Sequence, residues 1–87
     1  EEAIGTVESL AGVPGNRTTD TLTRPDLLDV WTSVITDAGG RELARKVDKE
    51  ERQLNGRVQW TTTITIGDKT VTVTDKETAT GWAREVK

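Results

Sequence analysis

The chain offers little material for nucleophilic catalysis. Ser9 and Ser33 are its only serines, neither lies in a G-x-S-x-G turn, and no His or Cys exists to activate them. Carboxylates are more plentiful. Asp26 and Asp29 are spaced i,i+3, and Asp48 and Glu51 repeat that spacing. A hard cation needs several converging oxygens around a Gly turn, and no D-x-D-x-D-G run occurs, so these carboxylates read as helix-end charge and a solvated face. The segment GGRELARK lacks both the G-x-x-x-x-G-K-[ST] spacing and the preceding strand of a phosphate loop. Asn16-Arg17-Thr18 fits the N-glycosylation pattern, which a Thr-rich chain produces readily by chance. The sequence therefore assigns no catalytic, cofactor-binding or metal-ligating residue, and it predicts neither a cofactor nor an enzyme.

Arg41, Arg45, Lys46, Lys49 and Arg52 could form a basic edge for nucleic acid. Asp48, Glu50 and Glu51 interrupt it, and 15 acidic against 12 basic residues leave a net charge of −3. Phosphate affinity needs positive potential, so no nucleic-acid partner is expected. Trp31, Trp60 and Trp82 are the only aromatic residues. All three fall on predicted apolar faces and are expected in the core. An exposed Trp82 would instead be an anchor for a protein partner.

The elements that must position these residues follow from length and pattern. Eighty-seven residues make one domain, residues 1–87. Leu, Ile and Val total 19 residues, enough for a modest core, and no Cys is present to staple it. No apolar run approaches a membrane span, so a soluble protein with no membrane partner is expected, its compartment unspecified.

In EEAIGTVESLAGVPG, Ala3, Ile4, Val7, Leu10 and Ala11 share a helical face, with Gly12 and Pro14 as a stop. The competing reading is a strand, because Gly5, Thr6 and Val7 are poor helix formers. Asn16–Thr23 reads as a polar connection. From Arg24 to Ala38, a Thr23 cap, Pro25 in the first turn and a stripe of Leu27, Trp31, Val34, Ile35 and Ala38 predict a helix ended by Gly39-Gly40. Arg41–Leu54 predicts another, with Leu43, Ala44, Val47 and Leu54 on one side and Asn55-Gly56 as its end.

VQWTTTITIGDKTVTV then alternates strictly. Val58, Trp60, Thr62, Ile64 and Ile66 point one way, and Gly67-Asp68 is a two-residue hairpin turn. That turn pairs Ile66 with Lys69, Ile64 with Val71 and Thr62 with Val73. A further two-residue corner at Asp75-Lys76 would put Trp82 and Val86 on the same apolar face. The expected fold class is α+β: two or three helices packed on one face of a three-stranded antiparallel meander, four-stranded if the first segment is a strand. The expected core is Trp31, Trp60, Trp82, Ile64, Val71 and Leu27.

Cys, His, Met, Phe and Tyr are all absent, which average usage makes improbable. Caps, turns and register agree with one plan. These features predict a designed or computationally redesigned α+β domain with folding as its only function and no partner. The alternative is a natural protein–protein interaction module, bacterial or phage. It would use the Thr-rich sheet face or an edge strand, through which self-association is also expected.

Overall fold

The computed structural model describes all 87 residues, Glu1–Lys87. It contains one α-helix, α1 (Glu2–Ala11), followed by β1 (Arg17–Thr23), β2 (Val30–Thr36), β3 (Glu42–Arg52), β4 (Val58–Ile66), β5 (Lys69–Thr78) and β6 (Gly81–Val86). The strands form one six-stranded sheet in sequential order, β1-β2-β3-β4-β5-β6, with every neighbouring pair antiparallel.

This corrects the expected fold class. The chain is mostly β, with one short helix in place of two or three, and six strands in place of three or four. The two segments expected as long helices are β2 and β3. In β2 the sequence VWTSVIT satisfies a helical stripe through Trp31, Val34 and Ile35, but also alternates Trp31, Ser33, Ile35. Its β-branched residues favour the second pattern. In β3 the sequence ELARKVDKEER has strong helix formers. Ladders with β2 on one side and β4 on the other override that local preference.

The glycines read as helix stops are hairpin turns. Asp37 N–H donates to Arg41 O at 2.9 Å and Gly40 N–H to Asp37 O at 3.0 Å. Gln53 N–H donates to Arg57 O at 2.8 Å and Gly56 N–H to Gln53 O at 2.9 Å. Gly40 and Gly56 both have φ +85°, the left-handed position of a three-residue hairpin loop. Asp37 Oδ1 further accepts from the N–H groups of Gly39 and Arg41, each at 2.9 Å.

Asn16–Thr23, read as a connection, supplies edge strand β1, which is exposed along its whole length. Burial alternation was therefore absent from it. The expected Thr23 cap and Pro25 first turn lead into a single 3₁₀ turn, Pro25–Leu27. There Asp26 and Leu27 adopt φ 53° and 64°, and Leu27 is 80% exposed rather than in the core.

Helix α1 forms as expected rather than as a strand. Glu1 accepts from Ala3 N–H at 3.1 Å, and Gly12 N–H closes the last turn. Asn16 Nδ2 donates to Leu10 O at 2.9 Å, so the asparagine of the glycosylation-like triplet satisfies the helix C-terminus. The β4–β5 hairpin also matches: Ile66↔Lys69, Ile64↔Val71 and Thr62↔Val73 are all paired. Gly67 has φ 61° while Asp68 stays at negative φ, as a II′ turn requires.

The last corner lies at Ala79-Thr80, four residues beyond Asp75-Lys76, with Thr78↔Gly81 closing it. A shift by an even number preserves every face, so Trp82 and Val86 still join the face of Val73. Longer pairing brings Arg84 opposite Asp75.

Helix α1 covers one end of one sheet face. Ala3 and Val7 pack there against Ile35, Ala44 and Ile64, with Ile4, Leu10, Ile66 and Val71 around them. No helix is long and apolar enough to cross a membrane.

Candidate functional site

Cross-strand pairing decides which side chains share the helix-bearing face. Beyond the end covered by α1, that face carries Leu22 and Trp31 opposite one another, then Asp48 and Thr62, then Val73 and Val86. The next row outward carries Glu50, Trp60, Asp75 and Arg84, and the last Arg52, Val58, Glu77 and Trp82. The tryptophans thus occupy alternate strands, β2, β4 and β6, each one same-face step further along. Strand spacing and rise put neighbouring Trp Cα atoms about 12 Å apart along a diagonal.

The expected three-indole core is not what forms. Trp31 is 42% exposed and Trp82 57% exposed, while Trp60 is half-buried. A residue count explains the difference: only 7 of 87 residues are buried, and a ten-residue helix covers one end of a six-stranded sheet. The rest of the face has no second layer.

Two adjoining clefts lie along the diagonal. One, of about 380 Å³, is bounded by Ile4, Trp31, Lys46, Asp48, Trp60, Thr62, Asp75 and Arg84. The other, of about 420 Å³, is bounded by Trp60, Asp75, Trp82 and Arg84. Trp60, Asp75 and Arg84 belong to both, so the two are one open groove. A third cleft, of about 350 Å³, opens beside the N-terminus of α1 over Ile64, Ile66 and Val71.

The charged groups of the groove floor are paired with one another. Arg84 grips Asp75 through two bonds, Nε to Oδ1 at 2.7 Å and Nη2 to Oδ2 at 3.1 Å. That carboxylate holds the guanidinium pKa above its ordinary value, mainly through the hydrogen bond and then through direct charge attraction. Lys46 Nζ lies 3.7 Å from Asp48 Oδ2, and Thr62 Oγ1 donates to Asp48 Oδ1. Lys46 and Arg84 are thus each matched by a carboxylate, while Glu50, beside Trp60, adds a negative charge with no cation at ion-pair distance. Gln53 serves the sheet itself: its Nε2 donates to Val58 O at 2.9 Å and to Glu77 O at 3.0 Å, tying the rim together.

The strand pairing disperses the other groups singled out in the sequence. Asp48 faces the groove, whereas Glu51 lies on the opposite face within 3.4 Å of Gln59 Nε2. Asp26 sits in the 3₁₀ turn, and Asp29 Oδ1 lies 2.8 Å from Arg24 Nε, at ion-pair distance without hydrogen-bond alignment. The basic edge of Arg41, Arg45, Lys46, Lys49 and Arg52 is split, with Lys46 and Arg52 on the groove face and Arg45 and Lys49 behind it. Arg45 pairs instead with Glu42 at 2.7 Å. Ser9 lies on α1, and Ser33 lies on the groove face between Asp20 and Lys46.

On the opposite face the expected Thr-rich surface does form. Thr61, Thr63 and Thr65 stand opposite Thr74, Thr72 and Thr70. What the sequence did not reveal is the groove itself. Its one legible signal was that Trp60 and Trp82 share a face. Trp31 joined them only once β2 was a strand.

The chain matches no protein-family model, no curated protein and no solved structure.

Proposed function

We propose that this chain is a non-catalytic binding module that takes a macromolecular partner along the tryptophan diagonal. One observation carries the reading: two indoles stand 42% and 57% exposed on a face whose other end is covered by the helix. Indoles offer large rigid contact area at low entropic cost, and they dominate binding surfaces for that reason. A chain with so small a core would gain stability by hiding them, and it leaves them open.

Catalysis is the weaker reading. Asp48 and Asp75 share the groove, as paired acid–base carboxylates would, but each is already held by a cation. The reading in which folding is the whole function, as in a designed or redesigned domain, drew its support from composition and from caps, turns and register agreeing with one plan, a core that holds three indoles. The exposure of Trp31 and Trp82 weighs against the second of these.

The test compares the wild-type chain with the Trp31→Thr/Trp82→Thr double variant against immobilised polysaccharides and a displayed peptide library. The variant is expected to fold with a similar circular dichroism spectrum and to lose every ligand the wild type retains. Ligands held equally by both, or none held by the wild type, would overturn the reading.

A further inference from the structure

Resting on that reading, we propose that the ligand of the tryptophan diagonal is a linear, uncharged polysaccharide chain. The arrangement of the face distinguishes this from a protein partner. The core of a protein interface is depleted of charged residues, and its aromatic anchors cluster in a desolvated centre. Here the centre is charged, with Asp75 and Arg84 beside Trp60 and Trp82 and with the Lys46–Asp48 pair on β3, the strand between those of Trp31 and Trp60. The indoles are kept apart rather than clustered.

A sugar chain suits that pattern. Each pyranose ring has an apolar C–H face that stacks on an indole and a rim of hydroxyls that both donate and accept hydrogen bonds. The Asp75–Arg84 and Lys46–Asp48 pairs supply acceptors and donors side by side, at fixed positions, to bind such hydroxyls. Because each cation is matched by a carboxylate and Glu50 adds a further negative charge beside Trp60, the floor gives no advantage to an anionic polymer. The diagonal spans about 24 Å from Trp31 to Trp82, on the order of five linked rings, with a stacking platform at roughly every second ring. The groove is open along its length, as a continuous chain requires.

The experiment is native electrophoresis of the 87-residue chain in gels containing hydroxyethyl cellulose, xylan or galactomannan, with alginate and heparin gels beside them. Retardation is expected in at least one neutral polymer, and it should persist when salt is raised from about 0.05 to 0.5 M, where surface charge is screened. Trp82→Ala and Trp31→Ala should each weaken it at least about tenfold, the loss of one main anchor. Trp82→Tyr, which keeps an aromatic platform, should retain most of it and shows that loss in the alanine variants is not misfolding. Affinity for oligosaccharides of the retained polymer should rise with length and level off near five rings.

Retardation only in alginate or heparin, abolished by salt, would overturn the inference. So would an absence of retardation in every neutral polymer. In that second case, peptides selected from a displayed library that lose binding on Trp82→Ala would leave the binding-module reading standing with a protein partner. Recovery of no Trp82-dependent ligand of either kind would bring down both.

Discussion

Ile64 and Trp82 invert the usual relation between side-chain size and stability. Ile64 is 1% exposed and packs in the cluster formed by Ala3, Val7, Ile35 and Ala44. Ile64→Ala removes three carbons, about 2.4 kcal/mol of transfer free energy at roughly 0.8 kcal/mol each. The cavity under α1 adds about 1 kcal/mol, because a helix and four strands can relax only in part. The expected loss is therefore about 3–4 kcal/mol. Trp82 is larger, but 57% of it is already in water. Its hidden part, about 100 Å², is worth at most roughly 2.5 kcal/mol. Threonine recovers some of that burial and suits a strand, so Trp82→Thr should cost about 1 kcal/mol.

Urea unfolding followed by far-UV circular dichroism measures both. With the small core of this fold, a total stability near 5 kcal/mol is expected, so Ile64→Ala should lose more than half of its urea midpoint. Trp82→Thr should lose about a fifth. A Trp82→Thr cost equal to or above that of Ile64→Ala would refute the reasoning, since it would place the indole inside a packed core.

Other consequences follow from single positions. Gly5 lies within α1 with open space where a Cβ would stand, so Gly5→Ala should raise stability by about 0.5–1 kcal/mol in the same urea assay. Gly56 turns the β3–β4 hairpin at φ +85°, and Gly56→Val should cost at least about 1–2 kcal/mol, with the midpoint falling accordingly. Glu42 has its pKa held below the ordinary 4.5 by its hydrogen bond to Arg45. A depressed carboxylate stabilises the folded state above its unfolded pKa and loses that contribution as pH falls through the folded value. The urea midpoint of the wild type should therefore exceed that of Arg45→Gln at neutral pH, and the gap should close in acid below 4.5 and shrink in high salt.

The parts of the fold legible in the sequence are those where two signals coincide. In β4–β5, strict alternation and Gly67-Asp68 independently fix one register, and that register forms. In α1, the apolar face and the Gly12 stop agree. The sequence misleads where one signal serves two structures. Gly39-Gly40 and Asn55-Gly56 can end a helix or turn a hairpin, since both need φ > 0 from glycine. Trp31, Val34 and Ile35 fit a helical stripe until partner strands on both sides decide otherwise. Strand β1 shows nothing to read, because an edge strand exposed on both faces has no apolar alternation. The site was hidden for the same reason: the tryptophan diagonal exists only after β2 pairs with β3 and β3 with β4.

Solvent access to the three indoles is the most direct test of the account. In a ¹H–¹⁵N spectrum the chain gives one indole Nε1–H signal for each of its three tryptophans. A soluble paramagnetic agent should broaden the Trp31 and Trp82 signals strongly and Trp60 less, while the backbone amides of Ile35, Ile64 and Val73 stay sharp. Three indole signals protected to the same degree as those amides would mean that the helix-bearing face is closed, and the binding groove would not exist.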